Sequence, residues 1–452
     1  MNALQLWHVH LNWCCYKIPN MKVLNSKPVS AFGGLNFVIK EAINLKINTL
    51  LNTSLPALPK QSKYNWFDIV MSYWSVFFCG GDCAEDLSLN LKEGFRSNPF
   101  ISIPSPDRVL NRLKSLADVP QYFGTKRGKA EHHFSLAEKL NRLNIKMLTL
   151  LPGFKKNKVI IDYDNTLIYT EKADAQLTYK KENGYCPGVG IINNHIIYVE
   201  NRNGRSNAHV LQHETIERMC SLLHEVGVTI DVIRADSASY TYEIIKAIEK
   251  NARRFFIKAR MTDTLEKAIG NIKKWEEVKT GDKILLRGST TYTPFERHAR
   301  GNNAKTNSLK QYRLVITKEA RRDGQINAFT GEACVYSPIL TNDFDMTDDE
   351  VVFFYNARGA KEREFDILKN DFGWDKMPFS KLEQNTVFLL IMAMCRNLYT
   401  HIIETFSKRV AFLSANFRIK KFIFRFICIP GKWVESGRQV KLRLFGSLDF
   451  RT

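Results

Sequence analysis

The sequence has no arrangement of cysteines that would close a metal site or a disulfide framework. Its nine cysteines are scattered through 452 residues; Cys14 and Cys15 are adjacent, and Cys79 and Cys83 form a lone C-x3-C with no second pair. Reduced thiols serving as small core fillers in a cytoplasm are expected. Long apolar runs are missing too. The longest, Val387–Cys395, falls far short of the roughly 20 residues of a spanning helix, so no membrane role is expected. The first twenty residues have neither the basic start nor the apolar stretch of a signal peptide. Met21-Lys22-Val23 reads as a natural start, with Met1–Asn20 an upstream extension. Repeats and low-complexity tracts are absent. Negative charge is scarce: 46 Asp and Glu stand against 66 Lys and Arg, a net +20. That excess favours a polyanionic partner and counts against a small-molecule enzyme. With 44% apolar and 12% aromatic residues the chain is globular, with room for roughly two to four domains.

From Tyr64 to Asp118 the pattern predicts three short helices. Trp66, Ile69, Val70, Tyr73, Trp74 and Phe77 form an apolar stripe ended by Gly80-Gly81. A second helix from Asp82 carries Leu87, Leu89 and Leu91. A third, opened by Ser105 as N-cap with Pro106 at N1, carries Val109, Leu110, Leu113 and Leu116. Such a trio suits a helix-turn-helix-like DNA reader and equally a plain helical bundle. In the basic linker that follows, Lys126 and Arg127 are candidates for a phosphate backbone.

The middle of the chain changes period. Lys158–Ile168 is a β-branched strand bearing Asp162 and Asp164. Strands at Gly188–Ile192 and Ile196–Glu200 flank the turn pair Asn193-Asn194. A helix (Val210–Val226), a strand (Val228–Arg234) running into Asp236, a helix (Tyr240–Lys250) and a strand (Phe255–Lys258) complete a β-β-β-α-β-α-β order. Residues Met261–Asp345 read as β-rich and polar, with strands at Lys283–Leu286, Thr290–Phe295 and Gln311–Thr317.

Thr347–Lys369 opens with a capping box of Thr347 and Glu350. A continuous helix from there places Tyr355, Arg358, Glu362 and Lys369 at about 0°, 300°, 340° and 320°, within about 60° of arc. Mixed charges at such spacing usually make an ion-paired solvated face. A carboxylate for a metal beside two cations for a phosphate is also what phosphodiester chemistry needs. Beyond it, Thr386–Phe406 predicts an apolar packing helix. Arg418–Ile427 alternates basic and apolar residues and predicts a β-ribbon with Lys441–Phe445 across a turn at Gly437.

The pattern Tyr355-x2-Arg358-x3-Glu362-x6-Lys369 resembles the YREK signature of cut-and-paste insertion-sequence transposases with a DDE catalytic triad. The resemblance implies an α/β protein. Its RNase H-like core, a mixed five-stranded sheet with helices, is interrupted by a β-rich insertion and preceded by an all-α DNA-binding domain. The implied divisions are 1–20 extension, 21–150 helical DNA-binding region, 151–260 first part of the core, 261–345 insertion, 346–410 second part, and 411–452 basic ribbon.

Asp164, Asp236 and Glu362 become the expected catalytic and metal-ligating residues. Asp164 is preferred because Thr166 stands two residues on, with Asp162 on the same strand face as the alternate. Asp164 would bridge two Mg²⁺ ions, or Mn²⁺ in their place, with Asp236 and Glu362 each completing one. Arg358 and Lys369 would hold phosphate oxygens, and Tyr355 the backbone near the break. Trp275, Tyr292 and Tyr312 are candidates for holding a flipped base, though packing explains them as well. Arg297-His298-Ala299-Arg300 and Arg321-Arg322 fit a DNA face or a solvated loop. The implied partners are the element's terminal inverted repeats and target DNA, bound by a homodimer in a synaptic complex, in a bacterial cytoplasm at the nucleoid.

One rival shares the first strand. Ile160–Leu167 also resembles the D-x-D-x-T start of haloacid-dehalogenase-type phosphatases, with Asp162 as nucleophile and Asp164 as general acid/base. A hairpin after the strand in place of a crossover helix, an unexplained YREK face and the +20 charge stand against it.

Overall fold

The computed structural model describes residues 29–124, 131–280, 283–296, 310–321, 323–326 and 331–446. Lys126, Arg127, Arg322, the Arg297–Arg300 segment and Met1–Asn20 lie outside the described residues.

Strands follow the β-branched runs. β1 (Gln121–Gly124) and β2 (Glu131–Ser135) pair antiparallel and precede β3 (Val159–Asn165). A small excursion of β4 (Ile168–Tyr169), β5 (Gln176–Leu177) and β6 (Asn183–Tyr185) separates β3 from β7 (Gly188–Ile192) and β8 (His195–Arg202). Asn193, at positive φ, makes the tight turn between these two. Then come β9 (Ile230–Ala235), β10 (Arg254–Lys258), β11 (Glu276–Thr280), β12 (Lys283–Tyr292), β13 (Tyr312–Ala320) and β14 (Cys334–Thr341). All but the excursion join one eleven-stranded sheet in the order β1-β2-β8-β7-β3-β9-β10-β14-β13-β12-β11. The five strands expected from the sequence thus lie together, β3 antiparallel to β7 and parallel to β9. The region 261–345 does not interrupt this sheet but lengthens it, because β14 pairs antiparallel with β10.

Helices cover both faces. On the N-terminal side lie α1 (Leu35–Asn44), α2 (Ile47–Ser54), α3 (Trp66–Phe78), α4 (Pro106–Lys114) and α5 (Glu138–Leu150). The crossover helices are α6 (Gln212–Glu225) and α7 (Tyr242–Asn251), followed by α8 (Asp263–Gly270). Late in the chain come α9 (Asp348–Asn356), α10 (Glu362–Asp371), α11 (Leu382–Phe406) and the short α12 (Ile419–Phe422). Helices α6 to α8 pack on one face with Ile161, Tyr163, Leu314 and Ile316. Helix α9 covers Val232, Phe256, Val315 and Ile339 on the other.

The N-terminal helices share a single core with α10, α11 and α12. Every residue of α3 is buried, and Trp74 donates its indole N–H to Ile391 O at 2.9 Å. A helix buried all round serves packing and offers no face to a groove. The segment after Asp82 forms only a π turn, Leu87–Leu91. Helix α11 is long and apolar enough to cross a membrane by length and composition, yet its apolar window is wholly buried inside the protein.

Arg418–Ile427 is helical, correcting the predicted ribbon. Ile419, Phe422, Ile423, Phe426 and Ile427 are buried at i, i+3, i+4, i+7 and i+8 spacing, a helical period that strict alternation mimics over a few residues. Phe422 and Phe426 stack at 5.2 Å. The ribbon lies just beyond, Gly431–Ser436 (β15) with Gln439–Leu444 (β16), turning at Gly437 as expected.

Between His195 and Val199 the edge of β8 is closed by side chains. Asn141 and Asn144 on α5 donate to Val199 O and Ile196 O, both at 2.8 Å. Asn397 on α11 accepts from Ile196 N and donates to Ile196 O, also at 2.8 Å. These amides do what a neighbouring strand would do and lock the helices to the sheet. Replacing Asn397 by Leu is expected to cost about 2–4 kcal/mol, because the buried Ile196 N–H loses its acceptor and Ile196 O keeps only the donor from Asn144. A denaturant titration checks this through a lowered midpoint at unchanged slope.

Candidate active site

Asp162 and Asp164 point the same way from β3 and meet different fates. The last rungs of the parallel pair are Asp162 opposite Arg234 and Tyr163 opposite Ala235. Asp162 is buried in a two-pronged ion pair with Arg234, Nε to Oδ1 at 2.7 Å and Nη2 to Oδ2 at 2.8 Å. A carboxylate held this way is a brace rather than a nucleophile or metal ligand. That counts against the phosphatase reading, and the next strand to join β3 in the sheet, after the β4–β6 excursion, is antiparallel β7.

One rung further, β9 ends. Asp164 is the next residue of β3 and Asp236 the next residue after Ala235, so the two carboxylates stand beside each other at the carboxyl ends of parallel strands. Asp236 also accepts from Ala238 N at 3.0 Å, which fixes its turn. Burial pushes the Asp164 carboxyl up to about 6; Arg358 opposes this, while Asp236 and Glu362 add to it. The triad is therefore electrically coupled. It is not closed around a single point: among the described residues, the group whose ligand atoms all lie within 4.8 Å of one another is Asp82, Cys83 and Asp86. That group is an exposed turn in which Asp82 pairs with Lys376 at 2.6 Å.

The segment crossing these strand ends is not one helix. The Thr347–Glu350 capping box starts α9 as predicted, but Ala357–Lys361 tightens into a 3₁₀ turn before α10 begins at Glu362. Gly359 weakens the helix there. A 3₁₀ turn eclipses residues i and i+3, so Arg358 and Lys361 reach down to the two aspartates of β3 together. Arg358 Nη2 donates to Asp164 Oδ2 at 3.2 Å. Lys361 donates to Asn193 O and lies 3.9 Å from Asp162. Tyr355 donates its phenol to Ala235 O at 3.3 Å, beside Asp236, and burial holds its hydroxyl up to about 12. Lys369 donates to Leu167 O at 2.7 Å, just past β3, and burial lowers its pKa. Glu362 is exposed.

Six of the sequence-predicted residues, Asp164, Asp236, Tyr355, Arg358, Glu362 and Lys369, are therefore gathered at or next to one end of β3. Arg358 keeps a buried Nε with no partner, a donor left for an incoming oxygen. Residues 109–450 match the family described as transposase DDE domain group 1.

The chain belongs to the DDE transposase family. No curated protein matches it. Among solved structures it is similar to a piggyBac transposase synaptic complex with hairpin DNA, at 10% identity and a TM-score of 0.43, over 87% of this chain and 77% of the other.

Sequence reasoning missed two residues that hold this cluster together, Arg234 and Lys361. Arg234 did carry a signal: a lone guanidinium in an apolar strand demands a buried partner. Of the proposed base-holding aromatics, Tyr292 and Tyr312 are buried core residues, and Trp275 packs under Lys318, 5.3 Å from its ring. Arg321 spends its guanidinium on Asp323 and Gln325.

Two measurements separate the aspartates. Asp162→Asn breaks a buried pair and is expected to destabilise the fold by about 3–5 kcal/mol, read by thermal melting. Asp164→Asn should do the reverse in metal-free protein. The Asp164 carboxyl sits about two pH units above its ordinary value, each worth about 1.4 kcal/mol. Ionising it therefore penalises the native fold, and stability is lost as pH rises from about 4 to about 6. The variant should match the native protein below pH 4 and exceed it by up to about 3 kcal/mol above pH 6.

Proposed function

We propose that this chain is a DNA transposase of the YREK, cut-and-paste kind, with an RNase H-like core. In this reading it binds insertion-sequence ends, cleaves phosphodiester bonds and joins the 3′-hydroxyl ends to target DNA. The observation that carries the reading is the coupling of Asp164 to Asp236 and Glu362 beside Arg358, whose Nε is unpaired. Asp236 and Glu362 both raise the proton affinity of Asp164, and a hard divalent cation would relieve that repulsion. Their oxygen-only donor set fits Mg²⁺ or Mn²⁺.

Asp164, Asp236 and Glu362 would together hold two ions. Two such ions supply activation of the attacking oxygen and stabilisation of the leaving one. Arg358 would hold a non-bridging oxygen of the scissile phosphate. Lys369 neutralises a neighbouring phosphate from the end of β3. Tyr355, fixed on Ala235 O, holds the DNA backbone beside the break. Asp162 and Arg234 keep both strand ends in register. The exposed basic side of α4, with Arg108 and Lys114, and the linker carrying Lys126 and Arg127 would contact the element's terminal repeats. Acting on two ends at once calls for a homodimer in a synaptic complex.

The test is divalent-ion-dependent cleavage of a DNA fragment bearing the element's own end. Asp164→Asn, Asp236→Asn and Glu362→Gln should each lower cutting by about a thousandfold or more while binding persists. Asp162→Asn should retain partial cutting in the fraction that remains folded. Loss of a phosphomonoesterase activity with Asp162→Asn and Asp164→Asn alone, on a native chain that leaves DNA intact, would sink this reading.

A further inference from the structure

Across the strands that lengthen the sheet runs a row of polar side chains that the triad does not use. Arg287 on β12 stands opposite Thr317 on β13, and Thr317 stands opposite Ser337 on β14. The row lines a cavity of about 210 Å³ whose other walls include Lys258, Val352 and Tyr355. Arg287 is 8% exposed. One arm of its guanidinium pairs with Asp349, itself 65% exposed at the start of α9. Its Nε has no partner, and neither has the Thr317 hydroxyl directly across from it. Buried donors left unmade are uncommon, because the desolvation they suffer is not returned. Two of them, on facing residues that both line one cavity, indicate a missing acceptor. The groups at hand are a guanidinium, hydroxyls and the exposed ammonium of Lys258, with only a solvent-exposed carboxylate to compete. That chemistry selects an anion with several oxygens.

The cavity shares Tyr355 with the active site, since the same ring that walls it donates to Ala235 O beside Asp236. We propose that the cavity is a phosphate subsite, taking a phosphodiester of the bound strand next to the one at the triad. Arg287 Nε and Thr317 Oγ1 donate to its oxygens, and Lys258 balances its charge. The subsite rests on the reading of this chain as a DNA-cleaving transposase. It gives the strands β12 to β14 a task, which is to fix the path of the strand leaving the catalytic centre. Asp349 would be the stand-in that holds Arg287 until DNA arrives.

The experiment is equilibrium binding, by fluorescence anisotropy in EDTA, of duplex DNA taken from the flanks of the coding region, over a series of salt concentrations. Arg287→Gln should weaken binding about tenfold and flatten the slope of log affinity against log salt by about 0.9, the signature of one lost phosphate contact. Asp349→Asn, which frees the guanidinium, should tighten binding with no loss of slope. Thr317→Val should weaken it by a smaller factor. Thermal melts establish that each variant is folded; if Arg287→Gln is not, Asp349→Asn and Thr317→Val carry the test. The proposal is overturned if folded Arg287→Gln binds like the native chain, or loses affinity at unchanged slope. It is also overturned if Asp349→Asn weakens binding as Arg287→Gln does, which would make the pair a brace for α9. Failure of the native chain to bind DNA would instead overturn the transposase reading itself.

Discussion

The buried pair of Asp162 and Arg234 is the joint from which the site hangs. It bonds β3 to β9 one rung before the strands end. The same guanidinium donates to Phe354 O and lies 4.9 Å from the Phe354 ring. One residue thus fastens two strands to each other and both to α9. The clustered acids sit just beyond: Asp164 and Asp236 two residues further along, past the last rung, with Arg358 and Glu362 on the segment that follows α9. Desolvating two charges so deeply returns little net stability. What it provides is register, and register sets the separation of the carboxylates.

The two aspartates of β3 show how environment divides one residue type into two roles. Asp162 faces Arg234 squarely, with Lys361 nearby, so its charge is compensated. Asp164 faces one guanidinium at longer range and two carboxylates, so its charge is not. The polypeptide compensates the first and leaves the second short of positive charge. The 3₁₀ turn is what makes this division possible, since an α-helix would fan Arg358 and Lys361 about 60° apart around its axis.

The residues that resemble a catalytic triad were legible because each has a local marker: Asp164 in a β-branched strand, Asp236 after an apolar run, Glu362 at fixed spacing from Tyr355 and Arg358. The strand order was legible for the same reason, since period-2 runs and an Asn-Asn turn are local signals. Other parts have meaning only after folding. Asn141, Asn144 and Asn397 look like ordinary helix-surface polar residues until they meet the edge of β8. Arg287 and Thr317 are 30 residues apart and become neighbours only through antiparallel register. At Arg418–Ile427 the sequence supports two periods, and contact with Tyr399 and Phe406 on α11 decides for the helical one. The break at Gly359 was hidden because the spacing fits an unbroken helix nearly as well.

The burial of α3 against α11 has a consequence for how this protein is made. Trp74 and the carbonyl it bonds are 317 residues apart. At ribosomal speeds of about 5–20 residues per second, α3 emerges roughly 15 to 60 seconds before its partner exists. During that interval a largely apolar helix, buried on every side in the finished fold, stays exposed, and it is a natural client for chaperones. A message cut short before α11 would yield a chain that aggregates instead of a free N-terminal fragment. The N-terminal helices therefore reach their packed state only in a molecule whose α11 has already been synthesised, and translation itself couples the two halves.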